Sequence, residues 1–368
     1  MQTEEGLFVQ TLEELYIDIA AKKKWSYYEN CSFDINGKWN DNTKALYFIE
    51  KYFDFAGKSH CFKDKNLDRN RQFIEERAKH IISTFLIGIK LFECFQIETE
   101  SRDENNVNLK YYWFLTCLYH DIGYAYEKHS IWEQLKMLQT DGLEAIQEIA
   151  DIKYLNAREF KTFSKEEIDL YLKGRAYCSI GHRGCIDHGI VGGLLLYDKL
   201  RRQFEISWRK RTNESRSRES FNIKDECRDR TLHLSNSHYE AYAKVADAIM
   251  THNVYWDTFN DYVEKFDTTH QIRKRTDSDK ILLENHMCFI LSIADTIEPL
   301  KRNLKLTDIS IEALSNGIGA RIAINSNAPQ DAYTHNIKEM QKWINIEIPN
   351  DPVLDNGNIV LTLSLPNC

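Results

Sequence analysis

Apolar residues recur at helical intervals along most of the chain, and those intervals predict a series of long helices. Between Leu67 and Cys94 the apolar stripe is Phe73, Ile74, Ala78, Ile81, Ile82, Phe85 and Ile89. A second helix is predicted from Leu109 to Asp121, where Gly123 supplies a stop. A third opens at His188 and runs through GIVGGLLLYDKL, and a fourth carries YEAYAKVADAIMTH. A fifth carries ILLENHMCFILSIADTIE and is closed by Pro299. Five prolines and fifteen glycines in 368 residues leave few breaks, which favours long helices over a many-stranded sheet.

Two stretches interrupt the series. Residues 126–175 carry amphipathic helices of their own and read as a helical insertion. Residues 201–237 are polar and charge-dense (RRQFEISWRKRTNESRSRES) and are expected to form a mobile loop. From about residue 307 the period changes. DISIEAL and GARIAI alternate like strands, AYTHNIKEMQKWI is helical, and INIEIP and NIVLTLSL are strand-like again. The expected fold class is mainly α, with a small α+β unit at 307–368 and a helical cap at 1–66.

Composition narrows the classes. Hydrophobic residues at 42% and charged residues at 28% are those of an ordinary globular chain, not a disordered one. A net charge of −8 gives no general electrostatic reason to expect nucleic acid. Nine cysteines without a CxxC pair read as reduced thiols, not as a disulfide frame. The segment MQTEEGLFVQTLEELY lacks the basic and apolar regions of a signal peptide, and no apolar run is long enough to span a bilayer. The expectation is a cytoplasmic protein with no membrane partner.

The candidate chemistry lies in the polar residues that interrupt or end the apolar helices. His80 sits in RAKHIISTFLIG, His120 and Asp121 end YYWFLTCLYHDIG, and His188 starts the helix of IDHGIVGGLLL. His252 ends VADAIMTHN, and Asp295 lies in CFILSIADTIEP. A lone His-Asp pair carries little weight, since a chain with twelve histidines contains one by chance. Six such residues on five apolar helices carry more, because an unpaired imidazole or carboxylate in apolar surroundings is costly. Convergence on an ion satisfies all of them together. Imidazole nitrogens with two carboxylates suit manganese or iron best, with nickel or magnesium as further options. None of the six is a cysteine, which argues against a structural zinc site. Six ligands exceed what one ion needs, so two ions bridged by a carboxylate fit better.

The order His, His-Asp, His, His, Asp on successive helices resembles the HD-domain phosphohydrolases, specifically their binuclear branches. RAKH resembles the family's first-helix Arg-x-x-His, and CLYHDIG its signature turn. The resemblance covers about residues 67–306. Within the superfamily, DHGIVGGLLL, AIMTHN and IADTIEPLKR are most similar to the diadenosine tetraphosphate hydrolase branch. No Gly-Tyr-Pro follows His252, unlike the cyclic dinucleotide phosphodiesterases of the superfamily. The resemblance implies an HD-type helical bundle in which His80, His120 and Asp295 hold one ion and His188 and His252 the other, with Asp121 bridging. It also implies cleavage of a nucleotide phosphoester or phosphoanhydride by a metal-bridged hydroxide, with nearby cations absorbing the charge that spreads over the phosphoryl oxygens.

One departure stands out. Several branches place Lys soon after the His-Asp pair, and this chain has Tyr124 there. Candidate replacements are Arg183, ahead of His188, and Lys301 or Arg302, beyond Asp295, with Arg175 and Lys128 as further options. For each of these alone a solvated surface charge is the commoner role. His182 is a candidate for the pocket wall, and Glu298 for orienting a ligand. His129 has the offset of the second histidine of deoxynucleotide triphosphohydrolases, but GYAYEK lacks their Pro-Pro-Phe-Gly character. The expected partner is a nucleotide-like phosphate substrate. Nucleic acid is a less favoured partner: the basic segment Arg201–Arg218 speaks for a single-strand nuclease and the acidic whole against it. A non-catalytic nucleotide-binding sensor is the alternative from another class. A homo-oligomer is compatible with the chain, since its C-terminal strands could extend a partner's sheet.

Overall fold

In a computed structural model of the protein, the helical intervals of the sequence become helices. The structure describes residues 45–50, 71–98, 109–126, 142–153, 162–177, 186–214, 236–298, 309–315, 318–325, 330–348, 353–355 and 358–366, with residues 14 and 160 besides. The first long helices are α1 (Arg71–Cys94) and α2 (Leu109–Tyr119), followed by a 3-10 turn at Ile122–Tyr126. Helices α3 (Gly142–Ile149) and α4 (Lys165–Tyr177) fall in the expected insertion. Then come α5 (His188–Glu214), α6 (Asn236–Thr251), α7 (Trp256–Phe266) and α8 (His286–Ile297). Among the described residues no helix is long and apolar enough to cross a membrane.

The body is built from α1, α2, α5, α6 and α8. Helix α5 lies along α6, α6 touches α2 and α8, and α1 packs on α2 and α8. Their shared core includes Phe85, Trp113, Phe114 and Phe289, all fully buried. Each such side chain contributes roughly 1.5–3 kcal/mol by leaving water. The Trp113 indole N–H donates to the Phe85 carbonyl at 3.0 Å, so the one polar atom of that ring is satisfied inside the core. Of the residues expected to form an N-terminal cap, 45–50 are helical, and Phe48 packs its ring on Phe85 and Phe114. The rest of the cap, Glu14 excepted, lies outside the described residues.

Glycines set the close approaches. A Cβ on Gly189 would lie 2.8 Å from the Ile249 carbonyl, and one on Gly193 2.5 Å from the Ala246 carbonyl. These two positions, one helical turn apart, let α5 settle on the backbone of α6. That contact brings His188, at the start of α5, beside His252, just past the end of α6.

The charged stretch at 201–237 differs from expectation. Helix α5 continues to Glu214, so residues 201–214 are helical and not a loop, and α6 already begins at Asn236. The physical reason is propensity. Arg201–Glu214 contains no glycine or proline and is rich in Arg, Lys, Gln and Glu, which are good helix formers wherever they point. Arg202 and Asp198 pair one turn apart at 2.6 Å. Residues 215–235 lie outside the described residues.

The C-terminal unit is a four-stranded antiparallel sheet in the order β1-β2-β4-β3, with a helix between β2 and β3. Its strands are β1 (Ile309–Ala313), β2 (Gly319–Asn325), β3 (Val353–Asp355) and β4 (Asn358–Ser364), and the helix is α9 (Gln330–Met340). Ile309 faces Ile324, Ile311 faces Ile322, and Ile322 faces Leu361, so one face of the sheet is apolar and buried. The sheet packs on α1, and α9 packs on α8. INIEIP is not the strand that its alternation suggested. Ile344 makes a single bridge to Ile281 and Glu347 one to Ser364, so the segment ties two partners together instead of joining the ladder.

Among the described glycines, Gly123 makes the closest approach to a backbone atom. A Cβ there would lie 2.0 Å from the His188 carbonyl oxygen, a backbone atom that cannot move aside cheaply. Gly123→Ala is expected to cost about 1–3 kcal/mol in urea unfolding. It is also expected to weaken divalent-metal binding in calorimetric titration, because it pushes the turn that carries Asp121 away from His188.

Candidate metal centre

Each polar residue expected to hold metal stands at a place where its helix supplies a reason. Helix α2 ends at Tyr119, and its last carbonyls lack helical partners. The Nδ1–H of His120 turns back to the Cys117 carbonyl at 2.6 Å, and His252 does the same to Ile249 at 2.7 Å beyond α6. Each imidazole therefore carries a hydrogen on Nδ1, and the bond turns Nε2 toward the site. His80, in the middle of α1, reaches the same state by another route, donating Nδ1–H to Glu298 Oε2 at 2.9 Å. Glu298 is fully buried.

His188 is fixed from behind. Asp187, buried, precedes α5 and accepts the Ile190 backbone N–H on Oδ1 at 2.9 Å, the bond of a helix cap. Its other oxygen takes Arg175 Nη1 at 3.0 Å. Arg175, considered from sequence as a substrate-binding cation, is thus spent on Asp187, and acts on the site by holding the start of α5.

These supports aim the ligating atoms at one another. His80 Nε2 lies 3.0 Å from His120 Nε2, 3.1 Å from Asp121 Oδ2 and 3.4 Å from Asp295 Oδ1. His120 Nε2 is 3.4 Å from the same Asp295 oxygen and 3.5 Å from Asp121 Oδ1. His188 Nε2 is 3.6 Å from Asp121 Oδ1. Among the described residues two buried groups could each hold a metal ion: His80, His120 and Asp121, and Asp121, His188 and His252. Asp121 belongs to both. The structure thus brings together all six residues singled out as ligands, with Asp295 bordering the first group.

The donor set fits a cation. Neighbouring ligands on an ion with bonds of about 2.1 Å lie about 3.0–3.4 Å apart, depending on geometry. The separations around His80 and His120 fall in or beside that range. Two Nε2 atoms at 3.0 Å, with carboxylate oxygens beside them, need a proton or a metal ion between them. His252 supplies an independent sign, since its buried Nε2 has no hydrogen-bond partner. Burial pushes the His252 imidazole down to about 4, with His188 and His120 adding to the effect and Asp295 opposing it, so the ring is neutral at neutral pH. Among the described residues, Cys117 and Cys288 play no such part. Burial pushes the Cys288 thiol up to about 12 and the Cys117 thiol well above its ordinary range.

One functional residue was missed as a candidate. Arg77, three residues before His80 on α1, donates Nη1–H to Asp121 Oδ2 at 2.5 Å. Burial works against its charge, but Asp121 beside it outweighs that and holds the guanidinium above its ordinary range. Arg77 also lies 4.3 Å above the ring of Tyr124, while the His188 ring stacks on Tyr124 at 3.7 Å and 15°. Two groups so close to one ring centre cannot share a face, so Tyr124 is sandwiched between them. The RAKH motif held the signal for Arg77; the assignment needed the fold that puts the first turn of RAKH over Tyr124. Lys128, His129, His182, Arg183, Lys301 and Arg302 lie outside the described residues.

Glu298 orients His80 through the hydrogen bond at Nδ1. Glu298→Ala is expected to lower affinity for manganese by roughly 10–100-fold, read by calorimetry on metal-stripped protein. Glu298→Gln, whose amide oxygen still accepts from Nδ1, is expected to lose less. No family model matches the chain, and no curated protein or solved structure matches it either, so what this centre does is argued from its own residues.

Proposed function

We propose that the chain is a metal-dependent phosphohydrolase with an HD-type helical core, which cleaves a phosphoester or phosphoanhydride bond of a nucleotide at two divalent ions. The observation that carries this reading is the sharing of Asp121 by two buried ligand groups. A site built only for structure would be closed by one set of four ligands. Two sets joined by one carboxylate are the donor arrangement of a two-ion hydrolytic centre. Manganese or iron suits the mixture of imidazole and carboxylate best.

Divalent ions bound there would supply an acidified water and neutralise charge at phosphorus. The residues do the rest. Asp121 spans the two groups and fixes their spacing, and the helix-end histidines are oriented in advance by their own carbonyls. Arg77 is the cation placed to face a phosphoryl oxygen. It stands at Tyr124, the position where the HD resemblance expects Lys, and its side chain is about one-third exposed at 31%. A guanidinium held by Asp121 on one edge and by the Tyr124 face below has a fixed orientation at the site. Its fixed placement means that little reorganisation accompanies charge development at phosphorus.

The test is a nucleotide panel that includes diadenosine tetraphosphate, cyclic nucleotides, nucleoside phosphates and a single-stranded oligonucleotide. Manganese-loaded protein is scored for release of phosphate, pyrophosphate and mononucleotide. Turnover of at least one nucleotide is expected, with Asp121→Asn and His120→Ala reduced by roughly 10³-fold or more. Arg77→Ala is expected to lose about 10²-fold in kcat and to retain both ions in elemental analysis. Absence of turnover across the panel would sink the enzymatic reading.

A further inference from the structure

We propose that the side-chain oxygen of Asn253 is a further ligand of the ion held by Asp121, His188 and His252, an inference that rests on the two-ion reading above. Asn253 follows His252 in the turn beyond α6. Its Nδ2 lies 3.1 Å from His188 Nε2, and its Oδ1 is buried with no hydrogen-bond partner. That arrangement is unfavourable on two counts. The amide points an N–H at the lone pair with which His188 would bind a metal. At the same time a buried carbonyl oxygen, which forfeits roughly 1–3 kcal/mol when unsatisfied, is left bare.

With an ion on His188 Nε2, a half-turn of the carboxamide takes the N–H away from that nitrogen and gives the amide oxygen a partner. Its oxygen and nitrogen have the same shape, so the turn exchanges them at no steric cost. The oxygen then lies 3.1 Å from His188 Nε2, which is the spacing of neighbouring ligands on one ion with bonds of about 2.1 Å. An N–H bond from Asn253 to His188 Nε2 and a metal on that same nitrogen exclude each other, so occupancy of the site demands the turned amide. Space is reserved for it. A Cβ on Gly189 would lie 3.0 Å from Asn253 Oδ1 and 3.0 Å from His252 Cε1, and the glycine leaves that volume to the two side chains. The nearby His252 Nε2, also buried and without a partner, is the second donor left facing the same place. With Asn253, two imidazoles are joined by a carboxylate and an amide oxygen, a harder set that favours manganese, iron or magnesium over zinc.

Calorimetric titration of manganese into metal-stripped protein, with elemental analysis of the loaded product, tests the assignment without reference to turnover. Wild-type protein is expected to take up two ions per chain. In Asn253→Ala the first ion should bind as in wild type and the second about tenfold more weakly or worse. Asn253→Asp separates the two roles of the side chain, because it offers a ligating oxygen but no N–H. It should retain the second ion at wild-type affinity or tighter. Coincident unfolding curves of the three metal-free proteins would show that the substitutions act on the ion and not on the fold. If Asn253→Asp weakens the second ion as much as Asn253→Ala does, or Asn253→Ala leaves both ions unchanged, Asn253 is not a ligand. Uptake of fewer than two ions by wild-type protein would instead overturn the two-ion reading, and this inference with it.

Discussion

A carboxylate buried at the meeting of helix ends, Asp121, is the constraint on which the rest of the structure depends. Its side chain is 1% exposed, and a charge so placed is tolerated only where positive groups compensate its lost hydration. Arg77 supplies one such group, at 2.5 Å. The imidazoles of His80, His120 and His188 present Nε2 within 3.1–3.6 Å of it, and three of the site's four histidines are oriented by bonds made at Nδ1. Arg77 balances Asp121, while the imidazole nitrogens crowd one another, with His80 Nε2 3.0 Å from His120 Nε2. Groups gathered in this way could hold an ion.

The packing of the body follows from that requirement. To put residues from α1, α2, α5, α6 and α8 within ligand distance, helices must meet at closer than ordinary spacing where the side chains converge. Gly123 under the His188 carbonyl, and Gly189 and Gly193 against α6, are the places where that closeness is paid in side-chain volume. The large residues lie one layer out. Trp113, Phe85 and Phe289 fill the space that the glycines do not, and their burial offsets the cost of gathering polar groups at the centre.

The ligands were legible because each breaks a strong pattern. A histidine or aspartate inside an apolar helix stands out against its neighbours, and five helices gave five independent breaks. Arg77 was not legible in the same way, since an arginine near the start of a helix is what solvent exposure also produces. Only the fold shows that it points at Asp121. Arg175, weighed only as a further option for the missing cation, is paired with Asp187 at 3.0 Å, a contact that the sequence did not indicate. The stretch after Leu200 misled because charge density was read as disorder, although residues such as Arg, Lys and Glu carry high helix propensity and nothing before Glu214 breaks the helix. INIEIP misled because alternation fixes which side chains face inward, not whether a neighbouring strand is there to pair with.

Tyr124 joins these observations. A lysine after the His-Asp pair would bring its own charge on a flexible stem. The tyrosine brings none, but its ring stacks on His188 at 3.7 Å and supports Arg77 at 4.3 Å, so one aromatic side chain touches both a ligand of the second group and the cation paired with the shared carboxylate. Arg77, Asp121, His188 and Tyr124 close a loop in which no member shifts without disturbing two others. In the proposed HD-type reading, tyrosine at this position leaves the positive charge on α1 and couples it through packing to the candidate metal ligands. A guanidinium so anchored loses less rotamer freedom on meeting an anion than a free lysine would, and its planar edge favours oxygens in a fixed pair over a lone one.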